Sequence, residues 1–62
     1  MTKKHFIAIA ADIRRELNRV AGAEACEALE RMARSLCAVF AQFNPAFDRG
    51  RFLAACGVEA EP

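Results

Sequence analysis

The sequence predicts an all-α protein: a helical hairpin of two longer helices, about 3–20 and 23–43, plus a short C-terminal helix at about 48–56. Three observations predict it. Apolar residues recur at helical spacing through both long segments. The segment Asn44-Pro45-Ala46-Phe47-Asp48 carries a helix stop followed by a helix start, and Gly57 marks a second stop. The second helix is also apolar over a wider arc than one neighbour covers, which with the small size favours a homodimer.

The first helix starts behind Thr2 as N-cap. Phe6, Ile9, Ala10, Ile13, Leu17 and Val20 fall within an arc of about 120°, the width of one buried stripe. Asp12, Arg15, Glu16 and Arg19 lie opposite, and Gly22 fits the left-handed position that closes the helix.

In the second helix Ala25, Cys26, Leu29, Met32, Ala33, Leu36, Cys37, Val39, Phe40 and Phe43 share a face of about 180°. An antiparallel neighbour covers about a third of a helix surface. The remainder must meet the third helix, a second copy or a target.

Pro45 pushes Asn44 out of the α region and ends the second helix near Phe43. Asp48 can then cap a new helix by accepting the amide of Arg51 or Gly50. Phe47 and Phe52 stand at the spacing of a hydrophobic staple. Gly57 fits the left-handed terminator, with Val58 packing back on Leu53. A helix this short does not persist alone in water, so Phe47, Phe52 and Leu53 must dock it. Phe40, Phe43, Phe47, Phe52 and Leu53 are accordingly the expected structural or interface residues.

With 62 residues there is room for one domain, 1–62. The net charge of +1 argues against a general polyanion binder. Charge is nevertheless uneven: residues 1–20 carry Lys3, Lys4, Arg14, Arg15 and Arg19 against Asp12 and Glu16, while Glu59 and Glu61 close the chain. Three cysteines, Cys26, Cys37 and Cys56, with no CxxC pair, fit a reducing compartment. No signal peptide or membrane span is read, so a cytoplasmic protein without membrane contact is expected.

Chemistry is sparsely provided for. His5 is the single histidine and lacks a second imidazole as partner. Cys26 and Cys37 stand about 16 Å apart along one helix and cannot share a tetrahedral ion. No nucleophile triad or glycine-rich phosphate loop is present, so no enzyme activity, metal or cofactor is expected. Arg49 and Arg51, with Arg14, Arg15 and Arg19, are the expected partner-binding residues. A helix-turn-helix also places a short helix with its N-terminal residues on bases. Here, however, the preceding helix is long and the Asn-Pro loop is not that motif's tight turn.

The pattern Asn-Pro-x-Phe-Asp-Arg-x-Arg-Phe-Leu-x-x-Cys-Gly-Val at 44–58 resembles the C-termini of a group of very small bacterial, phage and prophage proteins. The opening Lys3-Lys4-His5-Phe6-x-Ala8-Ile9-Ala10 is similar to their N-termini. The resemblance covers about half the chain, and it brings no activity or binding residue with it. It implies a short accessory protein from a mobile element, of the kind that binds a host or defence protein. The expectation is a non-enzymatic interaction module with a host protein as target. The alternative is a small nucleic-acid-binding regulator using the arginines of the first and third helices.

Overall fold

The structure, a computed structural model, describes residues 2–59. They form three helices: α1, Lys3–Arg19; α2, Ala23–Phe43; and α3, Arg49–Cys56. The expected all-helical class is thus observed, and the boundaries fall within a residue of those read from the sequence.

α1 begins where Thr2 is extended (φ −113°, ψ 173°). The N–H groups of His5 and Phe6 donate to its carbonyl at 3.0 and 3.3 Å. The helix ends at Arg19, because Val20 swings out to an extended conformation (φ −75°, ψ 146°) while its N–H still donates to Glu16. Gly22 therefore does not close α1 as the sequence suggested. Its positive φ of 98° with ψ 143° serves instead as the N-cap conformation of α2, and its carbonyl accepts from Cys26 N–H at 3.3 Å. Residues with a side chain rarely adopt that backbone, even though a Cβ there would meet nothing within 4 Å.

α2 stops as Pro45 dictates, with Asn44 extended (φ −147°, ψ 100°) and donating its N–H to Phe40 at 2.9 Å. Asn44 also organises the following turn. Its side-chain oxygen accepts from Ala46 N–H at 3.0 Å and its carbonyl from Phe47 N–H at 3.0 Å. Asp48 caps α3, accepting Arg51 N–H at 3.0 Å. Phe47 and Phe52, on either side of the cap, lie 5.6 Å apart between ring centroids. At the far end Gly57 is left-handed (φ 81°, ψ 24°). Its N–H donates to Ala54 at 3.0 Å and that of Val58 to Leu53 at 2.9 Å, the paired bonds of a Schellman motif.

The core takes Phe6 and Ala10 from α1, Ala33, Cys37 and Phe40 from α2, and Phe52, Leu53 and Cys56 from α3, closed by Val58. Four phenylalanines form its centre. Phe6 meets Phe40 at 4.9 Å and Phe47 at 4.8 Å, and Phe52 meets Phe40 at 5.3 Å. Tilted and edge-on rings at these separations add about 0.5–1.5 kcal/mol per pair beyond area burial. Alanine and cysteine at the other contacts let the helix backbones approach.

α1 packs more extensively on α3 than on α2. Phe47, before α3, touches Phe6 near the start of α1, and a Cβ at Gly57 would lie 3.8 Å from Arg14 Cγ. α3 therefore runs beside α1 in the same direction, with both N-termini at one end. On the other side Arg34 Nη2 donates to the Glu59 carbonyl at 3.4 Å, tying α2 to the strand of chain beyond α3.

Candidate functional site

α2 carries two adjacent seams. Cys26, Ala33, Cys37 and Phe40 face the core or its edge. One position earlier in each turn, Ala25, Leu29, Met32, Leu36, Val39 and Phe43 repeat at alternating gaps of four and three, the spacing of a coiled-coil stripe. The first seam is covered, and the second is covered in part: Ala25, Leu29 and Leu36 are half-buried, Leu36 against the core, while its other three members are exposed. Met32 is 57% exposed, Val39 43% and Phe43 72%. The side flanking this stripe, Ala28, Ser35 and Gln42, is small or uncharged and lets another helix come close.

A second apolar surface lies between α1, α3 and the 44–48 turn. It is a groove of about 400 Å³. Its buried lining is Phe6, Ala10 and Phe52, with half-buried Phe47. Its exposed apolar members are Ile7, 56% exposed, Ala46 and Ala55. Lys3, Asn44, Asp48 and Arg51 form the polar part of the lining. Ile7 and Ala55 escaped the sequence reading, although Ile7 stands just off the buried stripe of α1 beside Phe6. An apolar residue displaced by one position from a buried stripe is the signal that points to such a groove.

The five arginines do not converge. Arg15 pairs with Asp12, and Arg19 Nη2 lies 3.4 Å from Glu16. Arg51 Nε lies 3.6 Å from Asp48 Oδ2. Each pair is exposed, so each contributes about 0–1 kcal/mol. Arg14 sits beside Gly57 at the end of α3, whereas Arg49 and Arg51 start that helix, about 12 Å away by helical rise. Glu61, one of the two glutamates near the end of the sequence, lies outside the described residues. Lys3 and Arg51, from the first turns of α1 and α3, line the groove, and the same two turns carry Lys4 and Arg49.

The titratable groups with chemical potential are committed elsewhere. His5 is exposed, and its Nδ1 accepts the Thr2 N–H at 3.0 Å, with Thr2 Oγ1 3.2 Å from the same nitrogen. Cys37 is buried and its Sγ donates to the Ala33 carbonyl at 3.3 Å. Burial, and secondarily the neighbouring Cys37 thiol, push the Cys56 thiol up to about 11, the opposite of an activated nucleophile. Among the described residues no group of three or more His, Cys, Asp or Glu side chains could hold a metal ion, and no helix is long and apolar enough to cross a membrane. The arrangement offers apolar surface, charge and shape for binding. No protein-family model, curated protein or solved structure matches the chain.

Proposed function

We propose that this protein is a non-enzymatic interaction module, a cytoplasmic accessory protein of the phage or mobile-element kind that binds and modulates a host or defence protein and acts as a homodimer. The carrying observation is the uncovered stripe of Met32, Val39 and Phe43 on α2. Three large apolar side chains at coiled-coil spacing on a chain of 62 residues call for a partner helix. A two-fold pairing of α2 with its copy supplies one, and the uncharged flank of Ala28, Ser35 and Gln42 opposes no like charges. The contact of Phe6, early in α1, with Phe40, late in α2, supports the antiparallel hairpin on which that seam is displayed.

Solution mass tests the reading. At tens of micromolar the protein should run at twice its 6.8 kDa chain mass. The double substitution Met32→Glu with Phe43→Glu should give a helical monomer. A wild-type monomer without aggregation removes the dimer.

The basic first turns of α1 and α3, with Lys3, Lys4, Arg49 and Arg51, favour a second reading, nucleic-acid binding. Its signature is affinity that falls steeply with salt and a slope flattened by Arg49→Ala or Arg51→Ala. No gel shift at low salt removes it.

A further inference from the structure

The groove between α1 and α3 is a surface separate from the α2 stripe, and its chemistry specifies a different occupant. We infer that it receives an acidic amphipathic helix of a partner protein, inserting two apolar side chains against Phe6, Ile7, Phe47 and Ala55 while its carboxylates meet Lys3 and Arg51. This names the partner surface within the interaction-module reading and rests on that reading, but not on the dimer.

Size, lining and charge each bear on the occupant. A volume of about 400 Å³ is at the small end of ligand pockets and suits side chains one helical turn apart. The open sides are aliphatic, with Ile7 more than half exposed, whereas Phe6 and Phe52 are buried in the aromatic core. The lining thus offers side-chain packing and few ring faces on which a nucleic-acid base could stack. The mouth is cationic. Lys3 and Arg51 line it, and Lys4 and Arg49 stand in the same first turns. The single acid in the lining, Asp48, accepts Arg51 N–H through Oδ1 and pairs with Arg51 Nε through Oδ2; that pair balances itself, and Lys3 leaves the lining net positive. The N-terminal end of α1, whose first turn holds no acidic residue, adds positive potential on the same side. A partner helix with glutamates flanking an apolar stripe complements all of this, and a basic helix is repelled.

Fluorescence anisotropy with synthetic helices tests the assignment. The probe is a labelled peptide with leucines at i, i+3, i+4 and i+7 and glutamates between them. Controls are a scrambled peptide of the same composition, a version with lysine for glutamate, and a labelled DNA duplex. The acidic amphipathic peptide should bind at least about tenfold more tightly than any control, and less tightly as salt rises. Ile7→Glu should weaken it about tenfold or more and Lys3→Glu severalfold, with helicity and solution mass unchanged. Amide shifts in NMR spectra should cluster at Lys3, Ile7, Ala10, Arg51 and Ala55. Equal binding of the scrambled peptide, tighter binding of the duplex, or indifference to Ile7→Glu overturns the proposal. Shifts at Met32, Val39 and Phe43 instead overturn the groove while leaving an interaction module. A dimer that binds none of the peptides likewise loses the groove and keeps the dimer.

Discussion

The backbone N–H of Thr2 donates to Nδ1 of His5 at 3.0 Å, so a histidine occupies the place that glutamate or glutamine usually holds in a capping box. His5→Gln should preserve the bond, whereas His5→Ala should destabilise the protein by about 0.5–1 kcal/mol. In a domain of this size that is a fall in Tm of about 2–8 °C, readable by circular dichroism.

The Asp48 cap yields a paired prediction. Asp48→Ala removes the acceptor of Arg51 N–H and should cost about 1 kcal/mol, with Asp48→Asn closer to wild type. The exposed Asp48–Arg51 ion pair adds little, so raising the salt concentration should leave the Asp48→Ala effect largely intact. A salt-sensitive loss would transfer the effect from the cap to the ion pair.

Gly57 separates backbone strain from crowding. Its φ is 81°, yet a Cβ would meet only Arg14 Cγ, at an ordinary 3.8 Å. Gly57→Ala should therefore cost about 1 kcal/mol through the backbone alone. A D-alanine introduced at the same position by synthesis favours positive φ and should match or exceed wild-type stability. Chemical denaturation of the two variants decides the matter.

Leu53 and Phe43 should behave oppositely under truncation. Leu53 is fully buried, and Leu53→Ala should cost about 2–5 kcal/mol. A chain of this length has about 3–9 kcal/mol in total, so that variant should be largely unfolded near physiological temperature. Phe43→Ala should alter monomer stability by no more than about 0.5 kcal/mol, measured by dilution to where association is lost. Its effect should appear in the solution mass.

The thiols give a pH prediction. The folded state raises Cys56 from 9.0 to about 11, so the unfolded chain loses its proton first as pH rises. The stability this group contributes is fully present below pH 9 and is lost between pH 9 and about 11. Thermal melts of the wild type against Cys56→Ala should show a decline specific to Cys56 in that window. In the native state a thiol reagent should modify half-buried Cys26 before Cys37 and Cys56.

Much of this architecture could be read directly from residue type. Pro45, Asp48, Gly57 and the Phe47–Phe52 spacing each admit few backbone solutions, and each was found in the conformation its chemistry requires. What resisted reading was tertiary. Periodicity gave α2 a broad apolar arc but could not say which half the tail would cover, and it carried no sign that Phe40 turns inward while Phe43 turns out. Gly22 was misassigned because Val20 leaves the helix by extending, which moves the positive φ to the start of α2. The groove escaped because it is formed by α1 and α3, elements far apart in sequence whose contact no local pattern encodes.

That α1 finds its main support in α3, across the whole length of α2, leaves the molecule without an autonomous half. Neither the first two helices nor the last two retain the whole core, which takes Phe6 from α1 and Leu53 and Cys56 from α3. Opening either end should release the other, so amide hydrogen exchange in α1 and α3 should report one shared opening free energy rather than graded fraying. The distant pairing also slows folding relative to bundles held by neighbouring helices, because the ends must meet before either is rewarded. The protein is in this sense a clasp, closed by its two ends or not closed at all.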